Sequence, residues 1–286
     1  MEYLGTRKEI NQVIPMVSVC VQTYQHEAYI RECLDSILSQ KTTFPFEIIL
    51  GEDDSEDGTR EICKEYADKH PDVIRLFLRD KKDKIFINGT KTGRFNFLEN
   101  LKSCRGKYIS FCDGDDYWVD SEKIQKQVEF LESNPEIFLC YTGNFQENPE
   151  QNTTKEEVEN EKIFQPAEIK RINYLGHISN WMIKNHLESL ISNPIVNKAP
   201  VMDVVLFEYS KMQGKVAALP FFSSFYRFNP SGLYRMKSEK TVHKDRLILS
   251  YYLFRYIHKN PITFLRGLGY YSSRYYFRFW KDKPLF

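Results

Sequence analysis

The sequence predicts an α/β fold, a mainly parallel sheet flanked by helices, and three observations carry that prediction. Short apolar runs alternate with amphipathic stretches from Met16 to Tyr141, as successive strand and helix units require. The runs are continuously apolar, as in Met16-Val17-Ser18-Val19-Cys20-Val21, which suits strands covered on both faces. Two of them end in dense acidic turns, Glu52-Asp53-Asp54-Ser55-Glu56-Asp57 and Asp113-Gly114-Asp115-Asp116, and open sheets of this class take ligands outside the carboxyl ends of their strands.

The elements follow in order. Residues 16–21 read as a strand, and Ile30, Cys33, Leu34, Ile37 and Leu38 recur at helical spacing, which predicts a helix over 27–39. Residues 46–50 form the second strand, and Asp57-Gly58-Thr59 opens a helix carrying Ile62 and Tyr66. Val73 to Leu78 is a third strand. A helix from Phe95 to Lys102 leads to the strand Tyr108 to Cys112. The helix over 121–133 puts Ile124, Val128 and Leu131 on one face and stops at Asn134-Pro135, after which Ile137 to Tyr141 is a further strand. The region has no GxGxxG.

Composition changes at 146–161, QENPEQNTTKEEVENE, which is polar and acidic and reads as a flexible surface loop or linker. Helical stretches near 183–191 and 203–212 and an apolar segment over 216–225 follow, expected to pack on the same sheet. The chain therefore divides into 1–145, 146–235 and a helical tail over 236–286. From residue 240 onward that tail carries ten basic residues against two acidic, interleaved with Tyr270, Tyr271, Tyr275, Tyr276, Phe277, Phe279 and Trp280. Basic and aromatic residues at near-helical spacing suit either an anionic membrane surface or an arm packed on protein.

Composition bounds the function. Lys and Arg number 40 against 39 Asp and Glu, so no global field argues for nucleic acid and any electrostatic effect is local. The six cysteines fall singly, without a CxxC pair, and read as buried free thiols in a reducing compartment. The N-terminal residues lack an apolar h-region, and nowhere do 18 apolar residues run together, so a cytoplasmic protein without membrane span is expected. The N-x-T sequons at Asn88 and Asn152 are then chance matches.

The turn at residues 113–116 poses a charge problem. Two carboxylates about 4 Å apart repel by roughly 4 kcal/mol at an effective dielectric of 20. A divalent cation reverses the sign, because Asp oxygens suit Mg2+ or Mn2+ and such an ion keeps positions open for substrate phosphates. Asp is also the residue of helix caps and Asx turns, and Asp57 and Asp120 are read that way.

Residues 17–25 (VSVCVQTYQ), 47–59 (EIILGEDDSEDGT), 105–118 (RGKYISFCDGDDYW) and 123–135 (KIQKQVEFLESNP) resemble the family 2 nucleotide-sugar glycosyltransferases of the GT-A fold. The resemblance spans about residues 16–142 and is patchy after that. It implies a Rossmann-like donor-binding half over 1–145 and an acceptor-binding half over 146–235. It further implies that Thr23 and Tyr24 line the nucleoside pocket, with Glu52 beside them, and that Asp53 accepts from a uracil imide. Arg94 is implied near the base and phosphates, Asp113 and Gly114 on the ribose side of a DxD pair, and Asp115 on a Mn2+ or Mg2+ ion. Asp116 is implied as a supporting residue or helix-entry cap.

In the C-terminal half, Val201-Met202-Asp203-Val204 resembles the segment that supplies the general base, which implies Asp203 in that role. Gly176-His177-Ile178-Ser179-Asn180-Trp181 resembles the acceptor-side strand, which implies Asn180 and Trp181 toward the acceptor, while His177 reads as structural. Tyr226-Arg227-Phe228-Asn229 resembles the family's YRxH with Asn in place of His, so a third protein ligand there loses its imidazole.

The implied reaction is inverting, metal-dependent transfer of a sugar from a UDP-sugar to a glycan or lipid-linked acceptor, in surface polysaccharide synthesis at the inner face of the plasma membrane. A sugar-phosphate nucleotidyltransferase would use a similar sheet, but it needs a basic, Gly-rich loop after the first strand, where this chain has QTYQHEAY. A non-catalytic nucleotide-sugar-binding module is the third alternative.

Overall fold

The computed structural model describes residues 1–5, 12–148, 152–169, 176–230, 232, 237–259, 261–262, 265 and 269. The chain begins with β1 (Glu2–Tyr3), β2 (Val17–Thr23), α1 (Ile30–Leu38), β3 (Phe46–Glu52), α2 (Thr59–Lys69) and β4 (Ile74–Leu78). It continues through β5 (Ile85–Ile87), β6 (Thr90–Thr92), α3 (Arg94–Ser103), β7 (Tyr108–Asp113), β8 (Tyr117–Trp118) and α4 (Lys123–Ser133). The remainder comprises β9 (Ile137–Asn148), β10 (Asn152–Glu156), β11 (Lys162–Phe164), β12 (Met182–Lys184), α5 (Glu188–Ile191), α6 (Met202–Gln213), β13 (Lys215–Tyr226) and α7 (Glu239–Leu253).

The sheet runs in the order β1-β4-β3-β2-β7-β12-β9-β13-β11, with β10 added to β9 and β8 to β13. Strands β4, β3, β2 and β7 are mutually parallel. Their crossovers are the helices that the apolar periodicity predicts, and α1 turns Ile30, Cys33, Leu34 and Ile37 inward. Register then places function. Thr23 pairs with Glu52 and Gln22 with Asp113, so the carboxyl ends of β2, β3 and β7 finish in one row.

Several elements differ from the sequence reading. Helix α1 starts at Ile30 and not at 27, because residues 25–27 are tied to the loop after β3: Gln25 N donates to Ser55 Oγ (3.0 Å), His26 N to Thr59 Oγ1 (2.8 Å) and Glu27 N to Asp57 Oδ2 (3.1 Å). The expected flexible loop at 146–161 contains β10, which pairs residues 152–156 antiparallel with 144–148. The expected helix at 183–191 is the strand β12 followed by one helical turn, α5.

The chain forms two compact units, residues 1–84, 93–187 and 210–228 in one and residues 85–92, 188–209 and 229–286 in the other. The first holds the sheet. The second contains the β5–β6 hairpin, whose Asn88-Gly89 tip has φ of 52° and 79°, the left-handed pair that a tight two-residue turn requires. Helix α7 bears out a helical start to the tail, while the aromatic cluster Tyr270 to Trp280 lies outside the described residues. Among the described residues no helix is long and apolar enough to cross a membrane.

Candidate active site

Close backbone approach builds the floor of the crevice. Gly51 in β3 lies under α3, and a Cβ there would come within 2.1 Å of Asn96 Oδ1 and 2.4 Å of Asn100 Oδ1. With glycine in place, Asn96 Nδ2 donates to Gly51 O (2.8 Å) and Asn100 Nδ2 to Val21 O (3.0 Å). Their oxygens accept from Arg79 at 3.0 and 2.8 Å, so one buried guanidinium fastens α3 over β2 and β3. Arg94, the first residue of α3, is buried beside this clamp's helix.

At the end of β3 the two acidic residues separate in role. Glu52 is fully buried; it accepts from Ser55 N (2.7 Å) and from Arg60 Nε, and these contacts shape the loop that follows. Asp53 stays at the crevice, only 4% exposed, with Lys84 Nζ 2.5 Å from its Oδ2. The same ammonium lies 4.7 Å from the ring centre of Tyr24. Asp53, Tyr24 and Lys84 therefore form one cluster, and Lys84 was not singled out by the sequence.

At the end of β7, Asp113, Asp115 and Asp116 occupy distinct environments. Asp116 is fully buried: its Oδ2 accepts from Ser179 Oγ (2.7 Å) and its Oδ1 from Arg227 N (3.1 Å). His177 Nδ1 is 3.1 Å from Asp116 Oδ2, its Nε2 is 3.8 Å from Asp113 Oδ2, and its ring stacks on Tyr226 at 4.2 Å. Burial alone would lower the His177 pKa, but the Asp116 carboxylate, with Asp113 and Asp115 behind it, lifts it to about 9. Asp115 Oδ2 faces His26 Nε2 at 3.6 Å, and burial pushes the His26 pKa down despite that neighbour.

Gly114 sits between these groups. A Cβ on it would come within 2.7 Å of His26 Nδ1 and 2.8 Å of Thr23 Oγ1, and these two buried atoms make no hydrogen bond. Gln22 Nε2 is a third such atom at the same strand end. Buried polar groups are normally satisfied, so these three atoms at the row of strand ends are ones that a water or a polar ligand would complete.

The donor set suits a hard divalent cation. One ligand atom each from Asp113, Asp116 and His177 lie within 4.8 Å of one another, two carboxylates and an imidazole, which Mn2+ or Mg2+ accepts. Asp115, the expected ligand, is outside that triad but on the same turn. His177, read from the sequence as structural, stands beside the acidic turn, and its local sequence carried no signal of that.

The two residues expected toward the acceptor are deeply buried. Trp181 is 1% exposed, and its carbonyl accepts from Ser110 Oγ (3.0 Å). Asn180 is fully buried, donating to Asn144 Oδ1 (2.8 Å) and accepting from Ser224 Oγ. Both are core residues, because they lead into β12, which is inserted between β7 and β9. Asp203 is half-buried in the first turn of α6, with its Oδ1 accepting from Val204 N (2.7 Å), and it belongs to the second unit.

Known proteins are similar to this chain in sequence or in fold. An uncharacterized glycosyltransferase of Bacillus subtilis, EpsJ, is 36% identical over 141 residues, 49% of this chain and 37% of its own length. An uncharacterized protein of Mycobacterium bovis is 38% identical over 125 residues, 44% of this chain and 34% of its own. The chain thus spans little more than a third of the length of these relatives. Among solved structures, Staphylococcus aureus TarS residues 1–349 in complex with UDP superposes with a TM-score of 0.64 at 17% identity, covering 91% of this chain and 71% of that one. The mannosyltransferase PcManGT of Pyrobaculum calidifontis, in complex with GDP-Man and Mn2+, gives a TM-score of 0.61 at 17% identity, covering 94% and 72%. These similarities agree with the GT-A architecture, and the profile of Glycosyl transferase family 2 matches residues 18–184, more than half of the chain, which therefore belongs to that family.

Proposed function

We propose that this family 2 glycosyltransferase is an inverting, metal-dependent enzyme that moves a sugar from a UDP-sugar to a glycan or lipid-linked acceptor, in surface polysaccharide synthesis. The observation that carries the reading is the row of strand ends where Asp53, the acidic turn 113–116 and the orphan atoms of Gln22, Thr23 and His26 converge.

In this reading Asp53 accepts from the base, with Lys84 and Tyr24 holding it in place. Thr23 and Asp113 take the ribose, and the absence of a side chain at Gly114 admits the sugar to the orphan donors. Arg94 lies toward the phosphates. Asp115 holds the ion, with Asp113, Asp116 and His177 as the adjoining donor set. A bound Mn2+ or Mg2+ neutralises the charge that develops on the departing diphosphate. Asp203 takes the proton of the attacking hydroxyl, whose own acidity is too low for attack near neutral pH. The PcManGT complex contains a guanosine donor, so the base is open to test.

The basic tail from residue 240 onward docks on the anionic inner leaflet, keeping a lipid-linked acceptor close. A thermal-shift panel of UDP, GDP, UDP-sugars and GDP-sugars, each with Mn2+, tests the donor, since a ligand of the folded state raises the melting temperature by mass action. A response to uridine compounds that needs the metal is expected. No response to any nucleotide refutes the reading, and binding without turnover in wild type would leave a non-catalytic module.

A further inference from the structure

Lys123 opens α4 with its side chain fully buried. Its Nζ donates to Ser110 Oγ (3.0 Å) and Gln127 Oε1 (2.8 Å) and lies 4.5 Å from the ring centre of Trp118. Both hydrogen-bond partners are neutral. A buried ammonium so placed is a liability that an apolar side chain of similar length would avoid, and such departures from a simple core collect at functional sites.

What Lys123 touches explains its retention. Each of its three neighbours holds one of three successive backbone carbonyls: Trp118 Nε1 donates to Ser179 O (3.2 Å), Gln127 Nε2 to Asn180 O (2.9 Å) and Ser110 Oγ to Trp181 O (3.0 Å). The direction of these bonds depends on the lysine. An ammonium only donates, and even the neutral amine keeps two N–H groups to give. Ser110 must therefore pass its own proton onward, and Gln127 must turn its oxygen to the lysine and its amide NH2 to Asn180. The segment fixed in this way begins with Ser179, whose Oγ donates to Asp116 Oδ2 at 2.7 Å.

We propose that Lys123 is a positioning residue for glycosyl transfer: through Ser110, Gln127 and Trp118 it fixes residues 179–181, and through Ser179 it sets the orientation of the Asp116 carboxylate at the acidic turn. The role rests on the glycosyltransferase reading above, in which that turn receives the donor diphosphate and its ion. Lys123 touches neither. Its effect reaches the site through a continuous buried hydrogen-bond chain.

Calorimetric titration of MnCl2 with UDP into the full chain tests this, on wild type, Lys123→Met, Ser179→Ala and the double variant. Lys123→Met should weaken binding about tenfold, at the low end of what loss of a supporting residue does to metal affinity. The double variant should bind no more weakly than the weaker single variant, because both substitutions cut one chain. Wild-type affinity in Lys123→Met, or losses that multiply in the double variant, would overturn the proposal. Ile124→Ala, a fully buried neighbour on the same helix, should lower the melting temperature and leave the affinity unchanged. If it weakens binding as much as Lys123→Met does, the effect is general destabilisation and the positioning role is refuted. Should Lys123→Met not fold, Gln127→Met cuts the same chain one residue on and must show the same loss. A wild type that binds neither UDP nor GDP refutes the parent reading as well, whereas equal binding by wild type and variants refutes this role alone.

Discussion

The buried lysine also leaves a signature in stability against pH. Desolvation drives the Lys123 pKa down to about 7, from 10.5 for an exposed lysine. The unfolded chain keeps the proton up to the higher value and the folded chain releases it at the lower one. Between them the unfolded state binds more protons, so stability rises with pH across that window, and the destabilisation is complete below it. At about 1.4 kcal/mol per pH unit the full interval corresponds to roughly 5 kcal/mol. His177 acts with the opposite sign. Its pKa is raised to about 9, so its contribution is fully present below the ordinary histidine value and is lost as pH rises through 9, which flattens the wild-type profile. Because Asp116 raises the His177 pKa and Lys123 is proposed to orient Asp116, wild type and Lys123→Met are compared in a common His177→Gln background, which removes the His177 contribution from both. The substitution leaves Ser110 Oγ and Gln127 Oε1 without the lysine donor, a pH-independent cost of about 1–3 kcal/mol. The slope of the difference is therefore the test and its offset is not. Urea unfolding at several pH values should show Lys123→Met gaining on wild type by roughly 3 kcal/mol as pH falls from about 9.5 to about 7. Parallel profiles would mean that the group titrates as an ordinary surface lysine, and the account of its burial would fail.

Gly51→Ala places a Cβ 2.1 Å from Asn96 Oδ1 and should break the Arg79 clamp, lowering stability by about 3 kcal/mol or more in urea unfolding; a loss under about 1 kcal/mol would mean that α3 yields without cost. Gly114→Ala intrudes on Thr23 and His26, so calorimetry should show nucleotide binding reduced at least about tenfold, and wild-type affinity would mean that these two side chains yield without cost. Lys84→Met removes the nearest cation from the buried Asp53 and should cost up to about 3 kcal/mol by chemical denaturation; the double variant Lys84→Met with Asp53→Leu should recover much of that loss, and no recovery would show that the penalty lies elsewhere.

The sequence made the central parallel strands and their helices legible because each is a local pattern: a continuous apolar run, or an apolar stripe at helical spacing. The acidic strand ends were legible for the same reason, and register then brought Thr23, Asp53 and Asp113 together without further information. What escaped depends on partners distant in the chain. Trp181 and Asn180 look like acceptor residues in a polar-flanked segment, but β12 is inserted antiparallel between β7 and β9, and that insertion buries them. Glu52 and Asp53 are adjacent and chemically alike. Arg60, eight residues on, pairs with the inward-turned Glu52, and Lys84, thirty-one residues on, pairs with Asp53. The hairpin at Ile87-Asn88-Gly89-Thr90 did have a local signal, the Asn-Gly pair, which a reading of Asn88 as a chance sequon match leaves unused. His177 and Lys123 had none. Each is one polar residue among others in its segment, and its significance lies in a three-dimensional neighbourhood: two carboxylates for the histidine, and three carbonyl-holding side chains for the lysine. A short acidic motif therefore locates such a crevice from sequence, while the groups that orient its carboxylates are recovered only by following each buried hydrogen bond to its end.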